Sequence, residues 1–181
     1  LRVAQDPVID KNVGRILGEV ERLNRMVTSL LQFGRPVSPH PVATDPEQIW
    51  DDLLDAERAR LDGKHLRLER TRAVPQGQAL QQEHPKCVVD AGQIGQVFRN
   101  ILENACDAAP DGSTLRLVSH WLPTGAWRCR LTNGGPAIPP DVLPHVFEFF
   151  FSAKAGGTGI GLALCQRIID DHGGTITIES V

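Results

Sequence analysis

The sequence predicts a two-layer α/β sandwich, a mixed sheet covered by helices on one face and preceded by one long heptad-patterned helix. Three observations carry that prediction. Apolar residues at Val13, Ile16, Val20, Leu23, Val27 and Leu30 alternate steps of three and four, the seam of an amphipathic helix. Residues 65–71, 86–90, 114–120, 127–132 and 175–180 alternate or bunch apolar side chains as short strands do, whereas residues 45–61, 93–109, 139–147 and 159–172 carry helical spacing. These strands and helices follow one another without a regular strand-helix-strand repeat, so the helices are expected to gather on one face of the sheet.

The leading helix is entered through Pro7 and Asp10 and stopped by Gly34 and Pro36, since glycine takes the C-terminal cap and proline cannot continue the ladder. Gly14 and Gly18 weaken it locally. Its narrow apolar face suits pairing with another helix, of the same or another subunit, better than lying on the chain's own core. Prolines 36, 39, 41 and 46 mark residues 37–46 as a linker between residues 1–36 and a domain of residues 47–181. Asp45 ahead of Pro46 and Glu47 is a helix start, with Ile49, Leu53, Leu54 and Ala56 on the inner side. Residues 74–85 are polar and turn-like, and Pro123 to Gly125 turn the chain between two strands.

With 181 residues, 41% hydrophobic and 23% charged, the chain is one ordinary domain or one domain with a small appendage, and a disordered reading is excluded. A net charge of -3 gives no electrostatic reason to expect nucleic acid or an anionic membrane as partner. Apolar runs such as residues 160–165 are too short to cross a bilayer and no signal segment stands at Leu1, so a cytoplasmic setting without direct membrane contact is expected. Cys87, Cys106, Cys129 and Cys165 are scattered and read as reduced and structural; the histidines are isolated, and metal ligation by them is not expected.

Three clusters carry the candidate chemistry. Gln96, Asn100, Asn104 and Asp107 recur at steps of four, four and three and so share one helix face, opposite Val97, Ile101, Leu102 and Ala105. Carboxamides there offer an oxygen to a hard cation and N–H groups to phosphate, although a solvated polar face has the same spacing. Asn133, Gly134, Gly135, Pro136, Ala137 and Ile138 follow a strand, where paired glycines let the backbone turn sharply and approach a flat ligand. Gly156, Gly157, Thr158, Gly159, Ile160, Gly161 and Leu162 run into an apolar helix and present unpaired N–H groups beside its positive end. No Lys-Ser or Lys-Thr pair follows, so it is not a P-loop, and no strand feeds it as in a dinucleotide fold.

In this order the residues resemble the ATP-binding domain of sensor histidine kinases, within the gyrase, chaperone, kinase and MutL superfamily. Gln96 to Ala108 is similar to that family's N box, Asn133 to Pro139 to its first glycine box, Phe147 to Phe151 to its F box, and Gly157 to Leu162 to its second. The leading helix, with Glu21, Arg22, Leu23, Asn24 and Arg25, resembles the second helix of the dimerisation and histidine phosphotransfer hairpin. The resemblance implies a Bergerat-type ATP fold in which Asn104 ligates Mg²⁺, Asn100 assists at the phosphates, and Gly157, Thr158, Gly159, Ile160, Gly161 and Leu162 wrap the triphosphate. Asp107, Asn133, Gly135 and Ala137 complete the expected nucleotide set, with Lys154 as the cation of a short lid.

Hydrolysing members of the superfamily resemble one another in a glutamate one turn before the metal asparagine; here it is Asn100, and an amide is no general base. The resemblance therefore implies transfer of the γ-phosphoryl group to a histidine and on to a response regulator receiver domain, with a homodimer formed through the leading helix. Asn133 stands where relatives carry aspartate and Ala137 where they carry glycine, which is expected to weaken adenine recognition. The phospho-accepting histidine is expected upstream of Leu1, and a further turn and strand beyond Val181. The alternatives are an ATP-hydrolysing conformational switch and a nucleotide-impaired scaffold or phosphatase partner.

Overall fold

The structure is a computed structural model that describes residues 7–34, 38–73, 85–154 and 157–181. Pro36, residues 74–84 and Gly156, named above, lie outside the described residues. The chain divides into two compact units, Leu1–Val37 with Pro140–Leu164, and Ser38–Pro139 with Cys165–Val181.

In the first unit, α1 (Pro7–Gly34) is the expected long helix, ending at the expected glycine. Its seam residues Val13, Ile16, Val20, Leu23 and Val27 are all about half exposed, so within one chain the stripe is uncovered. The helix expected over residues 139–147 is replaced by one 3₁₀ turn, Leu143–His145. Pro139, Pro140 and Pro144 remove N–H donors from the stretch, and what remains is closed by i→i+3 bonds from His145 to Val142 and from Glu148 to His145.

The second unit holds the sandwich. A three-stranded sheet runs β2 (Arg67–Ala73), β4 (Thr114–Trp121), β5 (Trp127–Thr132); β2 is parallel to β4, and β4 antiparallel to β5. A separate antiparallel pair joins β1 (Val42–Thr44) to β3 (Cys87–Val89), placing a strand inside the stretch expected to be linker. Leu115, Leu117 and Ser119 of β4 are fully buried while Arg116 and Val118 face out, so one face of the sheet is covered. The cover is α2 (Pro46–Ala56) and α4 (Ala91–Ala108), joined by Trp50 stacked on Phe98 at 4.3 Å and by Phe98 against Trp127 at 5.8 Å. They lie close at Gly95, where a Cβ would stand in ordinary van der Waals contact with Ile49 at 3.6 Å.

The single helix expected over residues 45–61 divides at Glu57 into α2 and a short α3 (Arg58–Gly63), which turns Leu61 into the core. Asp45 caps α2 as expected, accepting the Glu47 N–H at 2.9 Å. The closing α5 (Gly161–Asp171) forms, but the strand expected over residues 175–180 does not. Its side chains still alternate between exposed and half-buried, yet among the described residues no ladder pairs them.

Glu47 knits α2 to the sheet: Trp127 Nε1 donates to it at 2.9 Å, Arg70 at 2.9 Å, and Arg72 Nε lies 3.2 Å away. Burial opposes its ionisation, but the nearby Ser119 hydroxyl, hydrogen bonds from Trp127 and Arg70 and the Arg70 charge outweigh it and hold the carboxyl below its ordinary range. The four cysteines are free thiols, and burial pushes Cys129 up to about 12.

Candidate functional site

The site is built first on α4. Asp90 caps it, accepting from the Gln93 N–H at 3.0 Å while its other oxygen takes the His40 N–H at 3.0 Å; these backbone donors hold its carboxyl below the ordinary range. The Asp90 N–H in turn donates to His172 Nε2 at 3.0 Å, and His172 Nδ1 lies 2.7 Å from the Ile168 carbonyl, so the start of α4 is tied to the end of α5. At the other end Lys64 Nζ donates to the carbonyls of Cys106 and Ala109 at 2.8 and 3.0 Å, filling acceptors that a helix leaves open in its last turn.

Between these fixed ends the polar face is graded. Ile94, Val97, Phe98, Leu102, Ala105 and Cys106 are buried, Gln96 and Asn100 half-buried, and Asn104 and Asp107 exposed. Cys165 Sγ, on α5, lies 3.9 Å from the Val97 carbonyl of α4, a contact the spacing of the sequence does not reveal. Burial pushes that thiol up to about 11 and keeps it neutral.

The turn after β5 comes to the C-terminal end of this helix. Gly135 has φ +140, and a Cβ on it would fall 2.5 Å from the Ala108 carbonyl oxygen, so both conformation and space demand glycine. Asn133 Nδ2 donates to the Gly134 carbonyl at 2.8 Å, which leaves Asn133 Oδ1 to accept from outside. Asn133 and Ala137 are exposed, and Ile138 N–H is taken by Ser180 Oγ at 2.8 Å, anchoring the far side of the turn. The structure thus brings Asp107, Asn133 and Gly135 to one end of α4, with Asn104 one turn back.

In the first unit, the glycine segment Gly157, Thr158, Gly159 is half-buried and Ile160 fully buried, with Gly161 and Leu162 opening α5. Gly159 has φ +67, and its Cβ would fall 2.4 Å from the Phe150 carbonyl carbon; its own carbonyl accepts the Phe150 N–H at 2.9 Å. Phe150 itself sits at φ +64, so the aromatic run and the glycine loop share a tightly folded contact. A Cβ on Gly157 would fall 2.1 Å from Ser152 Oγ, and the Gly157 N–H donates to the Lys154 carbonyl at 3.0 Å. Ser152 Oγ bonds the same carbonyl, and the Lys154 side chain is exposed. Such loops leave the first N–H groups of α5 to an anion.

A sandwich in which an asparagine-faced helix ends on a glycine turn, with a second glycine loop opening the last helix, defines a nucleotide-binding domain of the histidine kinase fold. Residues 89–181 match the family model of histidine kinase-, DNA gyrase B- and HSP90-like ATPases, and the chain belongs to that family. It is 31% identical over 180 residues to the sensory histidine kinase/phosphatase NtrB of Rhodobacter capsulatus, covering 91% of this chain and 47% of that protein. It is 29% identical over 163 residues to the sensor histidine kinase ZraS of Salmonella typhi, covering 90% of this chain and 33% of that one. The chain therefore spans half or less of these relatives' length. The histidine kinase ThkA, solved in complex with the response regulator TrrA, superposes with a TM-score of 0.72 at 21% identity, over 96% of this chain and 48% of that one.

Proposed function

We propose that the chain is the ATP-binding catalytic module of a sensor histidine kinase, which holds Mg²⁺–ATP and delivers the γ-phosphoryl group to a histidine imidazole. The observation that supports this reading is the close approach of the Gly135 turn to the Ala108 carbonyl at the C-terminal end of α4, the helix that carries Asn100, Asn104 and Asp107. The donors present suit the group: a carboxamide oxygen is a hard ligand for Mg²⁺, and glycine at 135 lets the turn that carries Asn133 pass against the end of α4. When bound, Mg²⁺ neutralises charge on the β- and γ-phosphates.

Asn104 Oδ1 would hold the metal, and Asn100 N–H groups would assist at the phosphates. Asn133 Oδ1 accepts from the adenine amino group, with Gly135, Ala137 and Asp107 at the base. Gly157, Thr158, Gly159, Ile160, Gly161 and Leu162 offer backbone N–H groups to the triphosphate, and Lys154 adds a cation. Asn100 cannot take a proton from water, so the phosphoryl group is kept for an imidazole nitrogen: the N–P bond forms as the bond to the ADP oxygen breaks. Catalysis is then positioning and charge neutralisation.

From the histidine the phosphoryl group passes to an aspartate of a response regulator receiver domain, a reading that the solved complex of ThkA with the response regulator TrrA supports. The uncovered seam of α1 supports a homodimer formed through that helix. Among the described residues no helix is long and apolar enough to cross a membrane. The full-length protein with Asn104→Ala tests the reading: it is expected to keep its circular dichroism and lose autophosphorylation from ATP, and wild-type phosphorylation by that variant contradicts it.

A further inference from the structure

The turn that carries Asn133 rests on the segment where α4 stops. A Cβ on Gly135 would fall 2.5 Å from the Ala108 carbonyl oxygen, and one on Gly134 would lie 3.9 Å from Pro110 Cδ. The last carbonyls of a helix have no partner within it, so the shape of such an end is set by whatever donates to them. Here Lys64 supplies three ties. Its Nζ donates to the Cys106 carbonyl at 2.8 Å and to the Ala109 carbonyl at 3.0 Å, one residue to either side of the stretch that meets Gly135, and its own carbonyl accepts the Gly112 N–H at 2.9 Å. The exposed Asp111 carboxylate lies 4.0 Å from Nζ, too long and too well solvated to compete with those carbonyls.

A lysine head group is carried on a flexible stem, so it holds a fixed place only when its backbone and its acceptors are both fixed. At Lys64 the backbone is held by the cap of α3. His65 takes the left-handed conformation at φ +52, its N–H donates to the Asp62 carbonyl at 2.9 Å and the Leu66 N–H to the Leu61 carbonyl at 2.9 Å, the Schellman pattern, with Leu61 and Leu66 both buried. The geometry points to Lys64 as a positioning residue that fixes the end of α4 as the support of the base-binding turn of Asn133 and Gly135. This rests on the reading of Asn133 given above. Lys64 acts through the turn and not on the triphosphate, so its loss is felt in recognition of the base.

The test titrates the ¹⁵N-labelled chain with non-hydrolysable analogues of ATP and of GTP, whose base lacks the amino group that Asn133 accepts, each with Mg²⁺. In Lys64→Met, which keeps the stem and removes the donors, the Gly134 and Gly135 amide signals shift, affinity for the ATP analogue falls roughly tenfold, and affinity for the GTP analogue changes by less than about twofold. Lys64→Arg keeps the charge and a fork of donors and restores affinity for the ATP analogue to within about threefold of wild type. Unmoved glycine signals in Lys64→Met, wild-type affinity for the ATP analogue, or a loss shared equally by both analogues overturns the positioning role. Where Lys64→Met does not fold, the wild-type chain carries the test: the Lys64 ammonium ¹⁵N signal, identified by its loss in Lys64→Arg, moves as the ATP analogue binds, and a signal that stays fixed overturns the role. Asn133→Ala is the separate control: wild-type nucleotide affinity there overturns the reading of Asn133, while the glycine signals continue to report the contact with the end of α4.

Discussion

Gly135 passes so close to the end of α4 that a single added carbon would stand 2.5 Å from the carbonyl oxygen of Ala108. This contact joins the turn that follows β5 to the helix face carrying Asn104 and Asp107. Gly135→Ala meets both a backbone collision and a φ of +140, and is expected to cost about 1–3 kcal/mol in a urea titration. Nucleotide affinity should fall with it, because relief of the clash moves the turn off the helix. Unchanged stability and unchanged affinity together would show that the approach is not required.

Asn133 lends its N–H group to Gly134 and keeps an oxygen for the base. A carboxylate at the same place accepts more strongly, so Asn133→Asp is expected to tighten ATP and ADP binding by roughly tenfold, and Asn133→Ala to weaken it by a similar factor. Competition calorimetry measures both, and a change of the opposite sign in the aspartate variant would remove Asn133 from the adenine site.

Glu47 makes stability pH-dependent on the acid side. Its folded pKa lies below the ordinary value of 4.5, so the folded state favours the carboxylate more than the unfolded chain does. That stabilisation is complete above the unfolded value and is lost as pH falls through the folded one. Glu47→Gln should therefore lower the melting temperature at pH 7 and flatten its decline below about pH 4.5. Glu47→Ala, which leaves Asp51 as the carboxylate paired with Arg70, should cost about 2 kcal/mol at neutral pH through the lost charged hydrogen bonds. A parallel acid limb in the glutamine variant would assign the dependence to other carboxylates, Asp90 among them.

Much of this was legible in the residues, for identifiable reasons. The α4 face could be read because Gln96, Asn100, Asn104 and Asp107 keep helical spacing, and α1 because its seam holds over its whole length. Gly135 and Gly159 stood out because glycine clusters mark conformations other residues resist. Partners distant in sequence left no periodic trace. Residues 42–44 become a strand only by pairing with residues 87–89, Cys165 meets the Val97 carbonyl from 68 positions on, and Lys64 reaches the end of α4 from the cap of another helix. Residues 175–180 err the other way: their alternation is that of a strand, but alternation reports a buried face and says nothing of a ladder.

The α1 seam is expected to bury itself against a second helix when two chains associate. Leu23→Glu places a charge in that seam, with Val20 and Val27 one turn to either side, and should shift a sedimenting dimer to monomer while leaving the sandwich folded. Equal sedimentation of wild type and variant as dimers would place the dimer contact elsewhere.

The most direct test of the account is calorimetric titration of the chain with a non-hydrolysable ATP analogue, with and without Mg²⁺, for wild type and Asn104→Ala. The account predicts metal-dependent binding by wild type, and for the variant a loss of the Mg²⁺ enhancement with its melting temperature little changed. Binding by a folded wild-type chain that is absent, or that is equally tight without Mg²⁺ and in Asn104→Ala, would contradict it.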